Sequence, residues 1–339
     1  MSAEELAREM YDSEAELTDT PTDLLRLDRE DVTGVRVGSV VDRGVMNAMN
    51  QGATTSQALE ALGEGMEDYR QSLETQLENE LSSFEGYELR VRPQVIDTAG
   101  ATRMVGVVPG YERWISEADD AVELFQGLKQ ISAREEALLD SQPEDRPDEL
   151  YDMHRLTGEL AGFPDCGVEN YAAGTRQNFV ESLGIEEEQQ SEFRDRYGFL
   201  PTPETQMVIE DIEAGNIETV LEYATGERTV DEELPENFHS RFSTAFFPCS
   251  IDCEEAVEMG RELESGLEDS DMQTRYRAAK TANVMEYLLG QYEVWKENGA
   301  EQEYLQAFET HAEDGEISAF EALENEHAPL EQHLYKQAR

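Results

Sequence analysis

Apolar positions along the chain fall into two regimes. Up to about residue 113 they mix the two-residue and the three-to-four-residue period. Val35, Val37, Val40 and Val41 lie among Gly34, Gly38 and Gly44, which predicts a short strand and a turn. From Ser56, Leu59, Leu62, Met66, Tyr69, Leu73, Leu77 and Leu81 recur at spacings of three and four, predicting an amphipathic helix that ends near Ser83. Tyr87, Leu89 and Val91 alternate with Glu88, Arg90 and Arg92, the pattern of a half-buried strand. A further strand is expected over Arg103–Val108, stopped by Pro109 and Gly110. Ser2, followed by Glu4 and Glu5, is placed to cap an N-terminal helix.

Beyond residue 113 the helical period dominates. Ser116 precedes an acidic turn and the set Ala121, Val122, Leu124, Phe125, Leu128 and Ile131. Residues 141–147, with Pro143 and Pro147 and no apolar side chain, read as a linker. A helix follows over about Asp148–Leu160, ending at Gly162, and others are expected near 167–183, 186–197, 204–224, 253–264, 271–297 and 300–310. The longest carries Tyr276, Ala279, Val284, Tyr287, Leu288, Gln291 and Trp295. The expected fold is therefore mainly α: a small α+β module over 1–113 and a mainly helical domain over 114–339. Neither a sustained heptad nor a recurrent 20–50-residue repeat is present, which argues against a coiled coil and a solenoid.

Composition adds a physical setting. The chain has 339 residues, 77 Asp plus Glu against 26 Lys plus Arg, a formal net charge of -51 and a mean hydropathy of -0.64. Low hydrophobicity with high charge ordinarily marks disorder, but 12 Phe, 13 Tyr, 2 Trp and many periodic Leu and Val suffice for a core. Four of the 26 cations are lysines (Lys129, Lys280, Lys296 and Lys336). Such a charge repels itself at ordinary ionic strength; at molar salt the Debye length falls to about 3 Å and the repulsion is screened. The composition resembles that of cytosolic proteins from salt-in halophilic archaea, and a cytoplasmic location is expected. No apolar run approaches the roughly 20 residues that span a bilayer, and no signal peptide is legible. The charge also argues against nucleic acid as a partner, because phosphate binding needs clustered cations. Arg275, Arg277 and Lys280 form the nearest thing to a basic patch and are expected to pair with local Glu. A protein partner or a homo-oligomer stays open.

With so many carboxylates, acidic pairs carry little information about catalysis. The phosphate-binding, nucleophile-elbow and His-Glu-x-x-His signatures are missing. The informative feature is a pair of matched segments, Gly162-Phe163-Pro164-Asp165-Cys166-Gly167 and Phe247-Pro248-Cys249-Ser250-Ile251-Asp252-Cys253. Each has Phe-Pro, then an Asp-Cys pair, then a helix, and between them they hold all three cysteines. Asp165 and Asp252 are expected as helix N-caps, which would put Cys166 and Cys253 at the positive end of a helix dipole, where thiolate is favoured. A histidine precedes each segment, His154 and His239.

Three Cys with one His would complete a tetrahedral zinc site, and three Cys could hold an iron–sulfur cluster with one other ligand. The expected ligands are Cys166, Cys249, Cys253 and His239, which places Cys166 close to the other two despite more than 80 intervening residues. The same thiols could instead form a redox site, with Cys249 and Cys253 as a dithiol; otherwise the cysteines are structural and the chain is a non-catalytic interaction module. His311, His327 and His333 are expected at the surface.

The run Phe247–Gly260 together with the upstream Gly-Phe-Pro-Asp-Cys turn resembles an uncharacterised archaeal family, domain of unknown function 483, over roughly residues 110–300. In that family the upstream turn often carries two adjacent cysteines. Here the second position is Gly167, so the resemblance implies a three-Cys or Cys/His site rather than four Cys. It implies no reaction.

Overall fold

A computed structural model describes residues 1–13, 21–97, 106–140, 146–182, 203–225, 227–230, 233–243 and 245–297. The expected helices near 186–197 and 300–310, the start of the 103–108 strand, most of the 141–147 linker and His311, His327 and His333 lie outside them. The protein is mainly α with a small α+β module, and it divides into two compact units, Met1–Glu188 and Gln189–Arg339.

In the first unit, α1 (Ala3–Asp12) opens on a capping box: the Ser2 hydroxyl accepts from Glu5 N, and the Glu5 carboxylate accepts from Ser2 N. Its buried face, Ala3, Leu6, Ala7 and Met10, packs with the 3-10 helix Pro21–Asp28. Strand β1 (Val35–Val41), helix α2 (Arg43–Asn50) and the long α3 (Thr55–Glu80) follow, as the valine cluster and the three-four spacing predict. Strands β2 (Tyr87–Asp97) and β3 (Gly106–Glu117) complete an antiparallel sheet of order β1-β3-β2.

Tyr87, Leu89 and Val91 are buried, as their alternation requires, but Arg92 is buried as well. Its guanidinium pairs with Glu112 at 2.5 Å and Glu135 at 2.6 Å, and Glu135 also accepts from Val95 N. Burial pushes the Glu112 carboxyl up, yet Arg92 and Arg36 outweigh it and hold the group below its usual range. The alternation breaks where an ion-pair network satisfies a buried charge.

Pro109 and Gly110 do not stop the third strand. β3 runs through them to Glu117, and Ser116 is a buried strand residue opposite Glu88 rather than the start of a helix. Proline is tolerated in this central strand because it sits beside a register shift opposite Gln94–Ile96, where ladder bonding is interrupted anyway. Its carbonyl accepts from Asp42 N at 2.9 Å. A Cβ on Gly110 would lie 2.1 Å from the Val40 carbonyl oxygen, so the close approach of β1 demands glycine. The expected domain break at 113/114 thus falls inside a strand.

Helices α4 (Ala121–Asp140), α5 (Arg146–Leu160) and α6 (Asp165–Ser182) continue this unit. Trp114 joins Leu124, Leu128, Ile131, Leu138, Leu150, Met153, Leu160 and Ala161 in one cluster, so sheet and helices share a core.

In the second unit the expected 204–224 helix is two helices, α7 (Pro203–Glu213) and α8 (Asn216–Thr225). Gly215, at φ +72, adopts the left-handed conformation that ends a helix, and Asn216 donates to Asp211 at 2.7 Å. A 3-10 helix, Glu236–Arg241, precedes α9 (Glu254–Gly266) and α10 (Ser270–Glu297). Tyr276, Ala279, Val284 and Leu288 of α10 are buried and Tyr287 half-buried; the side chains of Gln291 and Trp295 lie outside the description. The three cations of the expected basic patch are each engaged. Arg275 pairs with Asp271 at 3.0 Å and Arg277 with Glu264 at 2.5 Å, and Lys280 is buried and donates to the Phe242 carbonyl. Among the described residues, no helix is long and apolar enough to cross a membrane.

Candidate metal centre

The first thiol is positioned by the way α5 ends. Phe163 N donates to Gly158 O and Gly162 N to Glu159 O, both at 3.1 Å, the paired bonds of a Schellman cap. Gly162 takes φ +62, and a Cβ there would meet the Asp31 carbonyl oxygen at 2.5 Å. Pro164 then forces the break, and its carbonyl accepts from Gly167 N and Val168 N at 3.0 and 3.1 Å. The cap of α6 therefore falls on Pro164, not Asp165: α6 begins at Asp165 and Cys166 is its second residue.

Two further contacts hold this turn. Arg26, fully buried in the first 3-10 helix, donates from Nη2 to the Ala161 carbonyl at 2.7 Å and lies 4.3 Å over the Phe163 ring.

The other two thiols come from the turn before α9. Ile251 N donates to the Glu210 carboxylate at 2.8 Å, and Cys253 N to Ser250 O at 3.2 Å, closing a four-residue turn. Cys253 itself, not Asp252, is the N-cap of α9, its carbonyl accepting from Val257 N at 2.9 Å. Its side chain makes no capping bond. Cys253 is buried and Cys166 and Cys249 are half-buried.

The sulfurs of Cys166, Cys249 and Cys253 all lie within 4.8 Å of one another. Among the described residues this is the one grouping of Cys, His, Asp or Glu compatible with a bound metal ion. Sulfurs about 2.3 Å from a tetrahedral ion stand about 4 Å apart, so the donor set fits one soft cation with little adjustment.

The two described histidines, His154 and His239, lie outside this grouping. His239 is buried in the 3-10 helix Glu236–Arg241, with Nδ1 3.6 Å from a Glu264 carboxylate oxygen. Burial pushes its pKa down, partly opposed by Glu264. The grouping of thiols does not include it. His154, on α5, stands edge-on to Tyr171 with ring centres 5.0 Å apart, and burial together with the Arg36 charge lowers its pKa to about 4.

Arg26 and Glu210, which brace the two turns, carry no signal in the sequence. One is an arginine in a leucine-rich segment and the other an acid among 77. The chain matches no protein-family model, no curated protein and no solved structure.

Proposed function

We propose that this is a metal-binding protein in which Cys166, Cys249 and Cys253 hold a single zinc ion. The carrying observation is the mutual approach of the three sulfurs to within 4.8 Å. An iron–sulfur cluster distributes its thiolates over several irons and spreads them further apart than one ion does, so the compact set favours a mononuclear centre. Two helix N-termini, those of α6 and α9, adjoin the thiols, and their partial positive charge offsets the cost of gathering thiolates in an acidic protein. Three cysteines leave one position of a tetrahedron to a non-cysteine ligand or to solvent. The resemblance to the uncharacterised archaeal family rests on these same two turns and supplies no reaction.

Elemental analysis of anaerobically purified full-length protein tests the reading. About one zinc per chain is expected, falling to near zero in each of Cys166→Ser, Cys249→Ser and Cys253→Ser. Absence of any stoichiometric metal in the wild type, with three freely titrating thiols, overturns it.

A further inference from the structure

The second unit contains a cavity of about 240 Å³ whose lining includes Met207, Phe246, Phe247 and Tyr287 on the apolar side and Arg241 and Asn283 on the polar side. It does not depend on the thiol reading, although Phe247 stands two residues before Cys249. The volume lies just below the roughly 300–1,000 Å³ of pockets that take drug-sized ligands, so a filling ligand is small.

The polar side has a definite sense. Arg241 is 5 % exposed; one of its terminal nitrogens, Nη2, is engaged by Asp211, and its guanidinium lies 4.6 Å from the centre of the Tyr287 ring. The other terminal nitrogen, Nη1, is buried without a hydrogen-bond partner, and so is the amide nitrogen of Asn283 on α10. A buried donor left unpaired costs about 1–3 kcal/mol, and two such donors on the lining of one cavity await an acceptor. Both are donors only, one carries positive charge, and the surrounding wall is aromatic. Phe246 stacks on Phe242 at 4.8 Å and Phe247 tilts against Tyr287 at 5.9 Å, which fixes the wall.

We propose that this cavity binds a small monocarboxylate with a flat apolar body, its oxygens meeting Arg241 Nη1 and Asn283 Nδ2 and its body the aromatic wall. Asp211 holds Arg241 in place and cancels part of its charge, so the ligand is recognised by paired donors and apolar contact more than by bulk charge. That suits a protein of net charge -51, which repels anions at long range.

Calorimetric titration of the full-length protein with benzoate, and with benzylamine as the cationic counterpart of like size, tests the proposal at one fixed salt concentration. Saturable 1:1 binding of benzoate and none of benzylamine is expected. Asn283→Asp, which replaces the amide donor by a carboxylate at constant size, should weaken benzoate at least tenfold. Arg241→Lys should also weaken it. Should that variant fail to fold because Asp211 loses its guanidinium partner, Asn283→Asp alone decides. Equal affinity for the two probes, no saturation by benzoate, or unchanged affinity in Asn283→Asp overturns the proposal.

Discussion

Arg26 donates to the carbonyl of Ala161 at 2.7 Å across 135 residues of sequence, and by this bond the N-terminal 3-10 helix fixes the turn that presents Cys166. Burial pulls the Arg26 pKa down to about 10, so it stays charged at neutral pH. Replacing it by Met strands a buried carbonyl and removes the stacking on Phe163. Arg26→Met is expected to destabilise the first unit by about 2–3 kcal/mol and to weaken zinc retention. Arg26→Lys should recover only part, because an ammonium cannot both reach Ala161 and lie flat on the ring. Denaturant melts with zinc analysis of both variants check this, and wild-type behaviour of Arg26→Met would show the clamp to be idle.

Gly260 makes a comparable point in the second unit. A Cβ there would lie 2.0 Å from the His239 carbonyl oxygen and 2.8 Å from its carbon, so α9 packs backbone to backbone on the preceding 3-10 helix. Gly260→Ala is expected to cost about 3 kcal/mol, the upper end for overpacking. Gly63, within α3 with nothing within 4 Å of its virtual Cβ, gives the opposite sign. Gly63→Ala should stabilise by about 0.5–1 kcal/mol through helix propensity. Equilibrium unfolding of the two variants side by side decides both.

The elements legible in the sequence are those where one period governs. The three-four spacing from Leu59 to Leu81 and the alternation Tyr87-Leu89-Val91 are local patterns, and both elements form where expected. The failures come from contacts that no local window contains. Arg92 reads as a solvent-facing position until Glu112 and Glu135 arrive from β3 and α4. Pro109 reads as a stop until the register shift in β2 makes its missing N–H harmless. The thiols are legible because both turns repeat Phe-Pro and Asp-Cys, but the same pattern points to Asp165 and Asp252 as caps, and neither is one. The chain turns one residue earlier at Pro164, and Cys253 occupies the cap itself.

His154 gives a pH dependence with a definite sign. Its folded pKa, about 4, lies below the ordinary histidine value because burial and Arg36 disfavour the charged ring. Between that value and about 6.5 the unfolded chain binds the extra proton, so this contribution is complete above pH 6.5 and is lost as pH falls toward 4. The difference amounts to about 3 kcal/mol at 1.36 kcal/mol per pKa unit. His154→Phe keeps an aromatic ring against Tyr171 and removes the proton site. Its stability should fall less steeply than wild type between pH 6.5 and 4.5, the carboxylates being common to both. Parallel curves would assign no role to His154.

Zinc removal should act on stability through linkage. A ligand that binds only the folded state at a hundred times its dissociation constant adds about 2.7 kcal/mol. On the proposed zinc reading a chelator is therefore expected to lower the melting temperature of wild type and to leave Cys253→Ser, which that reading deprives of its metal, unchanged. Restoring zinc should recover the wild-type melt, while magnesium, which prefers oxygen ligands, should not. An equal drop in wild type and Cys253→Ser would assign the chelator effect to something other than the thiols.

Salt should stabilise this protein. Its exposed ion pairs, such as Arg70 with Glu67 and Arg155 with Glu159, contribute about 0–1 kcal/mol each and weaken as salt rises. The buried pairs, Arg92 with Glu112 and Arg241 with Asp211, are shielded from added ions and keep their strength. Against the small loss from exposed pairs stands the self-repulsion of a chain with net charge -51, which screening relieves as the Debye length falls from about 10 Å at 0.1 M to about 3 Å at 1 M. The balance favours the folded state at high salt, so the melting temperature is expected to climb steeply between 0.1 M and 2 M KCl. Sodium chloride should act almost equally, because screening depends on ionic strength and not on the identity of the cation. Circular dichroism melts across that range check the expectation, and a cooperative transition at the same temperature in 0.1 M and 2 M salt would show that repulsion does not limit the fold.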